Sequence, residues 1–231
     1  KVAYGIPTIN RKDLLTECVN DLATYDKISN FKQLIIVDNG RQDIPEIIPT
    51  NIADKTTIYV EESNLGVAGS WNKIMATAFD SMGCEFVCLV NDDVVLGEGF
   101  FKAHIEAIKN NKEAFMINGP YFWSAITLSK ECWETIGKFD ANFFPAYFED
   151  NDYHRRLNLY AKHSGRENLY VVDNELMPVV TRNSQTIAKD GSLNKGYHNN
   201  ACYYQEKWGG NVHHPRYDTP FNKGGDEPWK L

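Results

Sequence analysis

Residues 86–93 read FVCLVNDD and place five apolar residues directly before one amide and two carboxylates. A short, continuous apolar run of this kind is typical of a strand that is buried on both faces of a parallel sheet. The carboxyl ends of parallel strands border the crevice in which such sheets bind their ligands. We therefore expect Asn91, Asp92 and Asp93 at the ligand-binding edge of a sheet.

The chain around this strand alternates between short β-branched runs and longer segments with helical spacing, which is typical of βαβ units. The predicted strands are Val2 to Ile6, Leu34 to Val37, Thr57 to Val60, Phe86 to Val90 and Phe115 to Asn118. The predicted helices are Asp13 to Tyr25, Gly69 to Met82, Phe100 to Asn110, Ser129 to Ile136 with Ser129 as its N-cap, and a polar helix from Glu149. Little periodicity remains after Asn183, where we expect a wrap or a lid. The predicted fold class is α/β, with a mostly parallel sheet and an aperiodic C-terminal tail.

Composition excludes several classes of protein. The 231 residues are 42% hydrophobic and 24% charged with a net charge of -7, which indicates a globular chain and disfavours a broad nucleic-acid surface. No apolar run approaches the roughly 18 residues of a membrane span, and the chain does not start with the apolar core of a signal peptide. Five cysteines without a CxxC pair argue against a disulfide framework and favour a reducing compartment. We expect one cytoplasmic domain without a nucleic-acid partner or a membrane span, and Lys1 in place of an initiator Met leaves a longer polypeptide open.

The carboxylates of Asp92 and Asp93 form the first candidate site. Adjacent carboxylates at the end of a buried strand repel each other unless they are solvated, hydrogen-bonded or bound to a cation. Hard Mg²⁺ and Mn²⁺ ions take oxygen ligands of this type. The alternative is an ordinary polar turn that closes the strand.

Two further loops could border a nucleotide. Asp38 in VDNG, residues 37–40, either accepts a hydrogen bond from a base or ribose or is exposed in an ordinary Asn-Gly turn. Residues 64–72, NLGVAGSWN, form a small-residue loop that enters a helix, where a backbone can approach an anion closely. The loop has neither GxGxxG nor GxxxxGK[ST], which argues against a dehydrogenase and a P-loop enzyme.

Three carboxylates, Glu149, Asp150 and Asp152, lie at the start of the polar helix. Acidic residues often complement the helix dipole there, but three exceed what capping requires. A carboxylate in a cleft beside aromatic residues can have a raised pKa and remove a proton from a hydroxyl group.

The histidines divide into two groups. His104 and His163 are predicted on surface helices without a special role. His198, His213 and His214 lie in the tail, where a histidine could close over a metal or a diphosphate, although solvated side chains remain the alternative for each. We choose His198 as the first candidate among them.

Taken in order, PTINR (residues 7–11), VDNG, NLGVAGSWN, NDD and IGKFDANFFPAYFEDNDYHRR (residues 136–156) resemble the GT-A glycosyltransferases that use nucleotide sugars. The resemblance covers residues 2–160 and is to the large inverting family that includes rhamnosyltransferase-like enzymes. It implies a GT-A fold and transfer of a sugar from a nucleotide diphosphate donor, with UDP-sugars favoured, to a hydroxyl acceptor. It also implies inversion at the sugar and dependence on Mn²⁺ or Mg²⁺.

The resemblance also assigns site residues, and it divides the chain into a nucleotide-sugar half (1–118), an acceptor half (119–182) and a C-terminal wrap or lid (183–231). The residues that it places around the donor are Pro7, Thr8, Arg11, Asp38, Asn64, Gly66, Asn72, Asn91 and Asp92. Asp93 is the implied metal ligand, and Glu149 and Asp150 match the acidic pair that supplies the catalytic base. We choose Asp150 as the base.

Two positions depart from the family pattern. Asn91 replaces the first acid of the DxD motif and removes one charge from the metal site. Thr181 and Arg182 stand where the family often has a histidine, so a histidine ligand would come from His198, and Arg182 would contact phosphate instead.

Two alternatives to a glycosyltransferase remain open. A non-catalytic carbohydrate-binding module would use its aromatic residues as sugar platforms, namely Tyr121, Trp123, Phe143, Phe144 and Tyr147. A sugar nucleotidyltransferase requires a Gly-rich, Arg-containing loop after the first strand, where this chain has PTINR. For an enzyme, the aromatic segment 121–148 is the expected acceptor site.

Overall fold

The computed structural model describes residues 1–120, 123–176, 179–181, 191 and 195–231. Within these residues, seven strands form one sheet in the order β3-β2-β1-β4-β7-β6-β8, and two further strands, β5 and β9, pair with each other. The strands are β1 Val2–Thr8, β2 Gln33–Asp38, β3 Thr56–Val60, β4 Phe86–Val90, β5 Val94–Leu96, β6 Met116–Asn118, β7 Ala125–Ser129, β8 Tyr170–Val172 and β9 Val179–Thr181.

Helices flank the sheet on both faces. They are α1 Lys12–Thr24, α2 Asp26–Ser29, α3 Gly66–Ala76, which continues as a π-helical turn over Thr77–Ser81, α4 Glu98–Asn110, α5 Lys130–Ile136, α6 Glu149–Ser164 and α7 Gly196–Trp208. Short 3-10 helices cover Ile44–Ile47, Thr50–Lys55 and Pro220–Asn222. No helix in the described ranges combines the length and the apolar content needed to cross a membrane.

The predicted parallel sheet is confirmed for the first half of the chain, since β1 pairs in parallel with β2 and β4, and β2 with β3. β7 was not predicted. It lies antiparallel between β4 and β6, so the complete sheet is mixed. Ser129 caps α5 as predicted, because its hydroxyl accepts a hydrogen bond from the Cys132 backbone N–H.

Alternate residues of the central strands bury on opposite faces of the sheet. Ala3, Val87 and Leu89 pack with α3, α5 and α6 on one face, and Tyr4 and Cys88 pack with α1 and α4 on the other. Gly5 permits α3 to approach β1, because a Cβ at that position would lie 2.1 Å from Ile74 Cγ2. The helices packed on the two faces of the sheet hold the strands in position. They therefore fix the edge of the sheet at which the carboxyl ends of the strands meet.

His104 is not on the surface, which corrects the sequence-based expectation. It is 2% exposed, and its two ring nitrogens lie 2.7 Å from the Tyr4 hydroxyl and 2.6 Å from Thr127 Oγ1. Burial lowers the pKa of His104 to about 4, so the ring is neutral. The His104 side chain therefore belongs to a hydrogen-bond network in the core and does not lie on the surface.

The helix α7 was not predicted in the tail. Its buried residues recur at helical spacing, but most of them are polar, aromatic or small rather than aliphatic: Gly196, Asn200, Tyr204, Lys207 and Trp208. Because few of these buried residues are aliphatic, the sequence lacks the apolar stripe by which an amphipathic helix is recognised. The buried polar residues Asn200 and Lys207 instead make specific contacts with α6 and with the loop before it.

Those contacts include a buried charge network. Lys207 is 1% exposed, and its Nζ lies 2.6 Å from Asp140 Oδ2 and 2.7 Å from Asp152 Oδ1. Asp152 also pairs with Arg156 at 2.9 Å and accepts a hydrogen bond from the Trp208 indole at 2.9 Å. Two carboxylates thus balance two cations in the interior, which ties α7 to α6.

Candidate active site

The carboxyl ends of β1, β2 and β4 are joined by side-chain hydrogen bonds. The Thr8 hydroxyl donates to Asp92 Oδ2 over 2.7 Å, and Gln42 Nε2 donates to Asp38 Oδ1 over 3.0 Å and to Thr8 Oγ1 over 3.3 Å. Thr8, Asp38 and Asp92 were all predicted at this edge, and the structure brings them together. Gln42 was not predicted, because a lone glutamine in a loop carries no motif.

Asp38 is fully buried and organises the loop that follows it. Its carboxylate accepts hydrogen bonds from the backbone N–H groups of Gly40 at 2.8 Å and Gln42 at 2.6 Å. These contacts are those of a turn, but Asp38 is buried and not exposed as the turn alternative expected. Contact with a base stays a prediction.

Arg11 lies beside the two carboxylates that follow β4. It is 5% exposed, and both Asp92 and Asp93 are 7% exposed. The pKa of Arg11 is raised, first by its hydrogen bond to Asp13, and Asp92 and Asp93 raise it further. Arg11 Nη1 is buried without a hydrogen-bond partner among the described residues. A buried unpaired donor is unfavourable, so this nitrogen is suited to an anionic ligand.

The chemistry of the Asp92 and Asp93 pair fits a divalent cation. Mg²⁺ is commonly held by one or two carboxylates together with substrate phosphates, rather than by a complete protein cage. Within the residues that the structure describes, no group of three or more His, Cys, Asp and Glu side chains is placed to hold a metal. His198 is exposed on α7, and its Nε2 lies 3.7 Å from Cys202 Sγ. Among the described residues, His198 and Asp93 are therefore not part of a group of three metal ligands.

The loop before α3 packs against the loop before α6. Asn64 Oδ1 accepts a hydrogen bond from the Gly66 N–H at 2.8 Å, which shapes the first turn. Gly66 has φ of 69°, and a Cβ there would lie 2.8 Å from the Pro145 carbonyl oxygen. The Val67 N–H donates to that same carbonyl over 2.8 Å. The predicted donor loop and the acidic loop are therefore in direct contact.

Asn72, further along α3, adds a second contact with the segment that precedes α6. Its amide donates to the Phe139 carbonyl over 2.9 Å and accepts from the Phe139 N–H over 2.7 Å. Both the oxygen and the nitrogen of the Asn72 amide are thus bonded to the protein backbone.

Asn91, directly after β4, donates its backbone N–H to the Ser124 carbonyl over 2.9 Å, just before β7 begins.

The acidic pair follows two residues with left-handed backbone angles, since Tyr147 has φ of 79° and Phe148 has φ of 73°. Such angles are costly for residues other than glycine and persist only where neighbours hold them. Here the buried Asn200 of α7 donates its amide to the Ala146 carbonyl at 2.8 Å and the Tyr147 carbonyl at 3.1 Å. The unpredicted helix α7 therefore holds the backbone from which Glu149 projects.

The two acids of the pair differ in environment. Burial, followed by the charge of Asp150, raises the pKa of Glu149 to about 8, and Glu149 Oε2 has no hydrogen-bond partner in the described part of the chain. Burial also raises the pKa of Asp150, whose carboxylate accepts the Asn151 N–H at 2.8 Å. The pKa of both carboxyl groups is therefore raised, and the two groups are coupled, because the charge of Asp150 contributes to the raised pKa of Glu149. The third acid, Asp152, belongs to the buried network with Lys207 instead.

A sequence model of glycosyl transferase family 2 matches residues 5–163, which is more than half of the chain. The chain belongs to glycosyl transferase family 2. Among curated proteins, galactofuranosyltransferase GlfT2 of Mycolicibacterium smegmatis is 31% identical over 102 residues, which are 40% of this chain and 15% of that protein. The chain therefore spans a small part of the length of this relative.

Solved structures share the fold at low sequence identity. The mannosyltransferase PcManGT of Pyrobaculum calidifontis, in complex with GDP-Man and Mn²⁺, has a TM-score of 0.60 at 12% identity, over 86% of this chain and 63% of that chain. TarS 1-349 of S. aureus in complex with UDP has a TM-score of 0.59 at 15% identity, over 75% of this chain and 58% of that chain. Glucosyl-3-phosphoglycerate synthase of Mycobacterium tuberculosis, with Mn²⁺, UDP and its product, reaches 0.57 at 12% identity, over 84% of this chain and 76% of that chain. The predicted GT-A fold is confirmed.

Some predicted positions of this family 2 domain lie outside the described residues. These are Arg182, the proposed phosphate contact, and Tyr121, one of the aromatic candidates for sugar binding. The described residue before Arg182 belongs to β9, which pairs with β5 directly after Asp93.

The raised pKa of Glu149 predicts a pH-dependent stability of this family 2 domain. A carboxyl group whose pKa is higher in the folded state stabilises the fold below its unfolded pKa, and this contribution is lost as the pH rises through about 8. Glu149→Gln removes the titration, so we expect the variant to gain at least about 1 kcal/mol relative to the wild type between pH 5 and pH 8.5. Urea unfolding at both pH values measures the difference, and a constant difference would refute the raised pKa.

Proposed function

We propose that this domain transfers a sugar from a UDP-sugar to a hydroxyl group of an acceptor, with inversion at the anomeric carbon and with Mn²⁺ or Mg²⁺ bound. The observation that carries the proposal is the Glu149 and Asp150 pair. The loop that leads into this pair packs against Gly66 through Phe144 and Pro145, in a chain whose family transfers sugars. A donor sugar near that loop would lie within reach of a carboxylate base.

The edge of the sheet would bind the donor. Thr8 and Asp38 would face the nucleoside, and the unpaired Nη1 of Arg11 would donate a hydrogen bond to an anionic oxygen of the nucleotide. Asp92 and Asp93 would hold the divalent cation. When bound, that ion neutralises charge on the leaving diphosphate.

Asp150 would act as the general base. Its carboxylate would accept the acceptor's hydroxyl proton while the acceptor oxygen forms a bond to the anomeric carbon. The bond from that carbon to the diphosphate oxygen breaks on the opposite face, so the configuration inverts and the electron pair leaves with the nucleotide diphosphate. Glu149, neutral at the same pH, would keep a second negative charge away from the departing diphosphate.

The ligands of the structural neighbours support the donor class. UDP is bound in the TarS and glucosyl-3-phosphoglycerate synthase structures, and GDP-Man in the mannosyltransferase. Mn²⁺ is present in two of these complexes. A uracil nucleotide and a divalent cation are therefore the first ligands to test.

Thermal shift and calorimetry with UDP-, GDP- and TDP-sugars, each with and without Mn²⁺, test the proposal. We expect metal-dependent stabilisation by UDP-sugars, about 2.7 kcal/mol at a ligand concentration of 100 times Kd. Asp93→Ala should remove the metal dependence, whereas Asp54→Ala at an exposed site should not. Metal-dependent donor binding that survives in Asp93→Ala contradicts the assigned ligand. Carbohydrate binding without any response to donors would favour a non-catalytic binding module.

A further inference from the structure

A cavity opens between the loop that ends at Phe148, directly before the acidic pair in sequence, and the first turn of α7. Its volume is about 440 Å³, and its described lining consists of Tyr147, Lys195, Tyr197 and His198. Small-molecule sites usually have volumes of about 300–1,000 Å³. The cavity is therefore large enough for a ligand of one or two sugar rings.

The aromatic part of this lining is exposed but held in place. Tyr197 is 50% exposed, yet its ring contacts Tyr147 at a centroid distance of 5.2 Å and Phe148 at 5.2 Å. The Phe144 backbone approaches the start of α7, since its carbonyl oxygen would be 2.5 Å from a Cβ at Gly196, whereas the Phe144 ring lies against Gly66. Rigid exposed rings bind the apolar face of a sugar at a low entropic cost. This cluster is suited to a carbohydrate.

The described lining of the cavity carries one cationic side chain and no carboxylate, since it consists of Tyr147, Lys195, Tyr197 and His198. Lys195 contributes a full positive charge, and the imidazole of His198 can donate a hydrogen bond. An anionic group on the ligand would be attracted to this end of the cavity.

The position of the cavity relates it to the chemistry. Tyr147 lies two residues before Glu149 and three before Asp150, on the backbone that Asn200 holds. We propose that the cavity binds the acceptor, and that the acceptor is an acidic carbohydrate whose ring packs on Tyr197 and whose anionic group pairs with Lys195. The proposal rests on the proposed glycosyltransferase function, which requires an acceptor whose hydroxyl group reaches Asp150.

Calorimetric binding of cellobiose and cellobiouronic acid to the full chain tests this proposal without a donor. We expect the acidic disaccharide to bind about tenfold more tightly than the neutral one. Lys195→Met should bring the two affinities together, while Tyr197→Ser should weaken both by about tenfold. Asn199→Ala, on the exposed surface of the same helix, is the matched control and should change neither affinity.

Glucose and glucose 6-phosphate, titrated in parallel, distinguish a carboxylate from a phosphate as the preferred anion. Equal affinity for acidic and neutral sugars, no measurable binding of either, or unchanged binding in Tyr197→Ser would overturn the proposal. Donor binding is measured in the same variants with UDP and Mn²⁺. If the wild type binds UDP but not the acidic sugar, the acceptor site alone is refuted, whereas absent UDP binding in the wild type refutes the proposed function.

Discussion

Replacing Asp150 by Asn is expected to lower kcat for sugar transfer by about 100- to 10,000-fold, the usual contribution of a positioned general base. The amide has the shape of the carboxylate but cannot accept the hydroxyl proton at neutral pH. Donor affinity should stay within about twofold, because the proposed donor contacts are at the edge of the sheet. Release of nucleotide diphosphate and a separate donor titration measure the two quantities.

Glu149→Gln is the matched control for Asp150→Asn. Burial keeps the pKa of Glu149 at about 8, so the side chain is already neutral at pH 7 and the amide changes its charge little. The variant should keep most of its activity at pH 7. An active Asp150→Asn together with an inactive Glu149→Gln would transfer the role of base to Glu149.

Replacing Lys207 by Met is expected to lower the free energy of unfolding by about 3–5 kcal/mol. The side chain is almost completely buried, and its ammonium group contacts Asp140 and Asp152. Without it, Asp152 keeps Arg156 but Asp140 loses its ion-pair partner among the described residues, and removing one partner of a buried network leaves an uncompensated charge. Urea unfolding at neutral pH, followed by circular dichroism, measures the loss.

Lys102→Met controls for the loss of a lysine as such. Lys102 is exposed and pairs with Glu98 one turn earlier in α4, an arrangement that contributes about 0–1 kcal/mol. A loss in Lys207→Met no larger than that in Lys102→Met would show that Asp140 and Asp152 do not depend on Lys207 for their charge balance.

The central strands of the first half of the fold were predictable because they consist largely of apolar residues. The strand β4 begins and ends at the residues expected from FVCLV, and β1, β2 and β3 differ from the prediction by at most two residues at either end. A parallel strand buried on both faces needs apolar residues throughout, so local sequence specifies it.

The elements that were not predicted depend on distant partners. The strand β7, AITLS, is short and contains Thr127, which the structure buries against the ring of His104. The polar residues of α7 are buried because Asp140, Asp152 and the backbone of residues 146 and 147 satisfy them. No local pattern encodes a pairing across more than 50 residues of chain.

The candidate site likewise contains some residues that the sequence predicted and others that it did not. Motif order placed Thr8, Asp92 and the acidic pair, and the structure brings Thr8 and Asp92 into hydrogen-bond contact. The roles of Gln42 and Asn200 had no signal in the sequence, because each acts through contacts that only the folded chain creates. The metal role of His198 had a weak signal, and the described residues do not assemble it with Asp93 and a third ligand.

The insertion of β7 between β4 and β6 has a consequence for the chain while it is being synthesised. Strands β1 to β4 can pair as soon as the ribosome has released them, but the outer edge of β4 stays open until Ala125–Ser129 follow. An open strand edge is a template for association with other chains. A nascent chain that stalls shortly before residue 125 would therefore be prone to aggregate, whereas one that has released β7 can cover that edge itself.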